Sequence, residues 1–253
     1  MYTDTHTHLY DEQLIADSDQ ITHAIANGVT KMYMPNCDSG TIAGMLQLAD
    51  QYPDNCMPMM GLHPCYVKEH YKEELAIVAD WLQKRKFHAV GEIGLDYHWD
   101  LTYKNEQIIA FEAQIDLALQ YDLPIVIHSR ESTPDCIDIV RKKQHGKLRG
   151  IFHCFSGTAE EAKQITELGF YLGIGGVVTY KKSTLPEIIK ATGLANLVLE
   201  TDAPYLAPVP YRGKRNESAY IPIIAEQIAT ILNIPVATVA ATTTANAEKV
   251  FLI

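Results

Sequence analysis

A short apolar run, then a polar or catalytic-looking residue, then an amphipathic stretch is the recurring rhythm of this chain, with eight such runs. They fall at 1–6, 30–35, 57–62, 89–95, 124–128, 150–153, 170–173 and 196–201. Runs this short, separated by helical patterns, read as buried strands joined by helices, which implies a parallel sheet with crossover connections. Eight such units in 253 residues match the roughly 250 residues of an α/β barrel. The expected fold is therefore α/β, a (β/α)8 TIM barrel, with residues 1–253 forming a single domain. A doubly wound open sheet is the alternative, but no GxGxxG or GxxxxGK[ST] turn supports it.

Helix signals punctuate the intervals. Ser18 is placed to cap a helix that stops at Gly28, and Thr133 to cap one whose first position is Pro134. Thr158 and Glu161 have capping-box spacing, with Gly169 past the last turn. Residues 71–85 carry Leu75, Val78, Ala79 and Leu82 at helical spacing. The tail from Tyr220 onward reads as one or two closing helices.

Hydrophobic residues make up 47% and charged residues 21%, a balance that lets a chain of this length bury one large core without disulfides. The five cysteines contain no CxxC pair and suit reduced thiols, so a cytoplasmic location is expected. The N-terminus lacks a signal-peptide pattern and no apolar run is long enough for a membrane helix, so no membrane association is expected. No protein partner is legible. A formal net charge of -10 argues against a broad nucleic-acid face, so a polyanionic substrate would have to be held locally.

The polar clusters gather at one end of the expected strands. The first ends in Asp4, His6 and His8; the third leads to His63; the fourth carries Glu92 and Asp96. The fifth ends in His128 and Arg130, the sixth in His153, and the eighth in Glu200 and Asp202. Delivery of His, Glu and Asp from six strands to one rim is the arrangement of a barrel active site. Alternation puts Asp4, His6 and His8 on one face, whereas Cys154, next to His153, turns away into packing. A lone His128 or His153 would read as a core histidine. Four imidazoles with Glu92 and Asp202 are enough for two divalent cations. Two such cations against two carboxylates leave roughly two positive charges, which favour an anionic group, and paired cations suit phosphoester hydrolysis.

In this order, the motifs DTHTH, GLHP, GEIGLD, HSR, HCFSG, ETDAPYL and RGKRNE resemble the TatD family of metal-dependent deoxyribonucleases, a branch of the amidohydrolase-type barrels. The resemblance covers nearly the whole chain. It implies that His6, His8, Glu92 and Asp202 hold one metal and that Glu92 bridges to a second held by His128 and His153. It also implies DNA cleavage from a 3′ end, by attack of a metal-activated water. Glu92 stands where related barrels carry a modified lysine. Asp202 and Glu92 are the expected catalytic groups, with Asp202 orienting or deprotonating the water.

His63 and Arg130 are the expected phosphate contacts. Asp4 and Glu200 are expected to hydrogen-bond to ligands rather than ligate, and Asp96 is left open among substrate, a third cation and solvent. The loop 211–216 could grip a nucleic-acid backbone, with Tyr97, Trp99 or Tyr205 stacking on bases. Two other readings stand beside the nuclease: the same site acting on a carboxylic ester or amide, and an inactive metal-binding scaffold. The ligands leave the metal open among Mg, Mn and Zn.

Overall fold

The computed structural model describes residues 1–17 and 19–252, so the expected cap at Ser18 lies outside the described residues. Among the described residues there are eight strands: β1 (Tyr2–Asp4), β2 (Val29–Met34), β3 (Cys56–Pro58), β4 (Val90–Asp96), β5 (Ile125–Arg130), β6 (Gly150–Phe152), β7 (Tyr171–Ile174) and β8 (Leu197–Leu199). Each coincides with an expected run, with ends shifted by a few residues. Two helices, α1 (Glu12–Ile15) and α2 (Gln20–Ala26), follow β1. One helix fills each later interval: α3 (Ile42–Gln51), α4 (Tyr71–Lys84), α5 (Lys104–Tyr121), α6 (Thr133–Lys143), α7 (Ala159–Glu167) and α8 (Leu185–Thr192). The two closing helices are α9 (Ile221–Leu232) and α10 (Val236–Phe251).

All strand pairs are parallel, in the orders β1-β2-β3 and β4-β5-β6-β7-β8. Backbone hydrogen bonds join the two sheets at both edges. On one side Met60 N–H donates to Ala89 O at 3.1 Å and Gly91 N–H to Met60 O at 3.0 Å. On the other, Thr5 N–H donates to Leu199 O at 3.0 Å and His8 N–H to Ala203 O at 2.8 Å. The sheet therefore runs round on itself, in the TIM-barrel architecture that the eight-unit rhythm predicts.

Local chemistry explains most of the ends. Thr158 Oγ1 accepts from Glu161 N–H while Glu161 Oε2 accepts from Thr158 N–H, the reciprocal box expected at the start of α7. The expectation at Thr133 is corrected. Thr133 is already inside α6, Ser132 is the cap position, and its hydroxyl donates to Leu95 O instead of capping. In α4, Val78 and Leu82 are buried as expected, whereas Leu75 and Ala79 are half-buried. Beyond β3, the side chain of Gln114, on α5, takes over the Leu62 peptide, accepting from its N–H and donating to its C=O.

Two apolar layers result. The larger lies between strands and helices. The smaller joins Tyr33, Met57, Met59, Ala89, Val126, Ile151 and Val198 to the end of α10, where Phe251 stacks on Tyr33 with centroids 3.7 Å apart. Because side chains alternate along a strand, this second set fills the barrel interior, and the site rests on top of it. Among the described residues, no single helix is long and apolar enough to cross a membrane.

Candidate metal centre

The inward columns of the barrel end in ionisable groups. Val126 is followed two residues later by His128, Ile151 by His153 and Val198 by Glu200, so alternation sets each above the interior layer. Glu92 joins them through a register irregularity. Val90 and Ile93 both pack on the helix side, and the β4 ladder shifts between them. Unbroken alternation would have sent Glu92 to the same side as Val90.

Glu92 is the hub, 1% exposed. Its Oε2 lies 3.1 Å from His6 Nε2 and 3.7 Å from His8 Nε2. Its Oε1 lies 2.7 Å from His153 Nε2, 2.8 Å from His128 Nδ1 and 3.2 Å from His63 Nε2. Asp202 Oδ1 completes the first group, 3.7 Å from His6 Nε2 and 3.6 Å from His8 Nε2, the two rings being 3.3 Å apart at their Nε2 atoms. These separations match the roughly 3.4 Å edge of a tetrahedron whose corners stand about 2.1 Å from a zinc-sized ion. The donor set, imidazole nitrogen mixed with carboxylate oxygen, is one that divalent transition ions accept.

The electrostatics agree. Burial alone would raise the Glu92 carboxyl, but the surrounding imidazoles, His153 foremost, hold it well below the usual carboxylate range. Burial likewise opposes ionisation of Asp202, and the contacts to His8, His153 and His6 bring it down. Burial would lower His153, yet Glu92 and Glu200 raise it well above the ordinary imidazole value. The acids thus draw protons onto His128 and His153, whereas burial lowers His6 and His63, and a divalent cation is the natural replacement for those protons.

Hydrogen bonds behind the rings decide which nitrogen is free. Tyr10 O–H has one proton and donates it to Pro35 O at 2.5 Å. Toward His8 Nδ1, 3.0 Å away, it therefore accepts, so Nδ1 carries hydrogen and Nε2 presents its lone pair to the cluster. His128 Nε2 sits 2.8 Å from Asp96 Oδ2, which likewise leaves Nδ1 to face Glu92. His63 differs. Its Nδ1 accepts from Cys65 N–H at 3.0 Å, so the neutral ring carries its proton on Nε2. Within reach of the donor cluster, His63 is a hydrogen-bond donor rather than a lone pair.

Buried acids stand behind this ring of groups. Asp4 accepts from Thr201 N–H at 3.0 Å and Thr201 Oγ1 at 2.6 Å, and at 3.3 Å from the His6 backbone N–H. It clasps the β1–β8 seam and touches no imidazole, and burial pushes its carboxyl up to about 7. Glu200 Oε1 accepts from Cys154 N–H at 2.5 Å and lies 3.6 Å from His153 Nδ1. It fits because Gly173 is opposite: a Cβ there would stand 2.1 Å from Glu200 Oε2. Asp96 is 1% exposed and joined to His128.

The rim separates what sequence grouped. Arg130 is exposed, its guanidinium 5.1 Å from the Trp99 ring centre, and no carboxylate pairs with it among the described residues. Tyr97 is an unsuitable stacking surface because Lys104 Nζ covers its ring at 4.0 Å and its hydroxyl donates to Asp135. In the loop 211–216, Arg215 is tied to Asp17 at 2.7 Å and Asn216 to the Thr201 and Tyr205 carbonyls, whereas Arg212 and Lys214 remain exposed. Tyr10 and Asp96 are contacts to candidate ligands, His8 and His128, that the residue pattern does not assign. The period of two through Asp4, His6 and His8 continues to Tyr10 and was the available signal.

A family profile described as TatD related DNase matches residues 3–252. The chain belongs to the TatD family. It is 38% identical to the uncharacterized metal-dependent hydrolase YabD of Bacillus subtilis (strain 168), over the full length of both. It is 31% identical to the 3′-5′ ssDNA/RNA exonuclease TatD of Erwinia tasmaniensis, over 98% of each chain. The crystal structure of YjjV, a TatD homologue from Escherichia coli K12, superposes with a TM-score of 0.93 at 28% identity, over 100% of this chain and 98% of that one. As a TatD-family protein, this chain is a metal-dependent hydrolase.

Proposed function

We propose that this TatD-family hydrolase uses two divalent cations to cleave phosphodiester bonds in DNA, removing nucleotides from a 3′ end. The observation that carries the reading is the division of labour at Glu92, whose two oxygens face separate groups of donors. His6, His8, Glu92 and Asp202 would hold one ion, and Glu92, His128 and His153 the other. A shared carboxylate suits ions about 3.5–4 Å apart, which when bound supply Lewis acidity toward water and phosphoryl oxygens.

The chain's own groups supply the rest. Asp202, held ionised by the imidazoles around it, keeps one oxygen among the donors and leaves the other to accept the proton of the attacking water. His63 donates from Nε2 to Glu92 or to a phosphoryl oxygen, and Arg130 contributes a cation at the rim. Counting Asp96 and Glu200 beside Glu92 and Asp202 brings four carboxylates level with two divalent cations, so the grip on a phosphodiester would come from the ions' open positions and from Arg130 rather than from net charge. The Erwinia relative is named for 3′-5′ exonuclease action, which favours the same direction here. The reduced thiols support a cytoplasmic setting.

The test is to strip the protein of metal, reload it with Mg²⁺, Mn²⁺ or Zn²⁺, and follow oligonucleotides labelled at either end. Stepwise loss from the 3′ end is expected, with Glu92→Ala inactive, deficient in bound metal and unchanged by circular dichroism. Loaded protein that spares every oligonucleotide while hydrolysing a carboxylic ester or amide would overturn the proposal.

A further inference from the structure

The barrel mouth carries a large exposed ring that the metal chemistry leaves unused. Trp99, in the segment after β4, is 69% exposed. Its backbone N–H donates to Asp96 Oδ1 at 3.1 Å beside that of His98 at 2.9 Å, while Asp96 Oδ2 lies 2.8 Å from His128 Nε2. The indole is thus hung from the same carboxylate that holds His128. Arg130 stands two residues beyond His128, about 7 Å farther along β5, with its guanidinium 5.1 Å from the indole centroid. Of the other rings nearby, His98 stands edge-on to the indole with centroids 4.9 Å apart, Lys104 covers Tyr97, and Tyr205, 50% exposed, is tied by its hydroxyl to Asp11 at 3.3 Å. Across the mouth, after β7 and β8, Arg212 lies 4.5 Å from the Tyr180 ring centre beside the exposed Lys181 and Lys182. No acid pairs with these three cations among the described residues.

We infer that Trp99 and Arg130 form a stacking platform for the base of the nucleotide whose phosphodiester lies at the metal centre, with the adjoining phosphates crossing Lys181, Lys182 and Arg212. The inference rests on the nuclease reading above and adds to it the part of the substrate that is recognised. A net charge of -10 denies the protein a broad electrostatic grip, so affinity has to come from local contacts, and every base offers a π-face to an indole backed by a guanidinium. Such a platform tolerates any base. It excludes a base stacked in a duplex, whose faces are already covered, and so selects unpaired ends.

The protein has two tryptophans, and the other, Trp81, lies on α4. In metal-loaded Trp81→Phe protein, fluorescence therefore reports Trp99 alone. A phosphorothioate-linked single-stranded oligothymidylate is expected to quench it, and the same strand ending in an abasic residue to quench it far less. Read by competition against cleavage of a labelled strand, since the Trp99 variants lack the reporting indole, the preference for the base-bearing end, on the order of 5- to 100-fold, should collapse toward unity in Trp99→Ala and survive in Trp99→Phe. Cleavage or binding indifferent to the terminal base, or an equal preference in Trp99→Ala, would overturn the platform alone. Absence of cleavage of any oligonucleotide by loaded wild-type protein would overturn the nuclease reading and the platform with it.

Discussion

Replacing Asp96 by Asn should weaken one ion and spare the other. Asp96 Oδ1 accepts from the backbone N–H groups of His98 and Trp99, so the amide oxygen of the variant must stay on that side. Its NH₂ then faces His128 Nε2, which in the wild-type protein lies 2.8 Å from Oδ2. A donor there obliges Nε2 to accept, and the neutral ring carries its proton on Nδ1, the nitrogen 2.8 Å from Glu92 Oε1. The lone pair needed for ligation is lost unless the ring adopts the disfavoured tautomer. Disturbing a partner of this kind lowers metal affinity about 10- to 100-fold, or about 1.4–2.8 kcal/mol. Isothermal titration of stripped protein with Mn²⁺ or Zn²⁺ should show two equivalents in the wild type. In Asp96→Asn the ion assigned to His128 and His153 should weaken by that factor, and the other should change little. Superimposable titrations of the two proteins would refute the tautomer argument.

Three further outcomes follow from the same geometry. Tyr10→Phe removes the acceptor behind His8 Nδ1 and leaves Pro35 O without its donor, so affinity for the first ion should fall about tenfold; an unchanged calorimetric constant would count against it. Gly173→Ala drives a Cβ to within 2.1 Å of Glu200 Oε2; unfolding in urea should show destabilisation of about 1–3 kcal/mol, and unaltered stability would mean that Glu200 relocates freely. Asp4, near 3.8 when unfolded and about 7 in the fold, binds its proton more tightly in the native state. Its contribution to stability is therefore full below about pH 4 and lost as pH rises through about 7. Metal-free Asp4→Asn should accordingly lose less stability than wild type between those limits, and parallel slopes in urea titrations across that range would contradict the assignment.

Much of the site was legible because the barrel translates sequence into space simply. Each short apolar run becomes a strand, the strands are parallel, and whatever follows a run arrives at the same rim. His6, His8, His128, His153 and Asp202 therefore converge without any knowledge of contacts. Glu92 was found by residue type and position, yet its inward direction depends on the register shift between Val90 and Ile93, which no residue pattern announces. Asp4 and Glu200 were expected behind the ligands. One is there chiefly to clasp the β1–β8 seam, and the other holds the Cys154 peptide beside His153.

Architecture and the roster of chemical groups were written in the order of residues, because hydrophobic periodicity and crossover length depend only on neighbours along the chain. Protonation was not. Whether a ring offers a lone pair, as His8 does through Tyr10, or a proton, as His63 does through the Cys65 peptide, turns on a partner set by loop geometry. The same holds for the cationic loop 211–216, whose Arg215 is spent on Asp17 while Arg212 lies against the Tyr180 ring with no acid partner among the described residues. A pairing of that kind is chosen by three-dimensional proximity, and proximity between distant segments exists only once the barrel has closed.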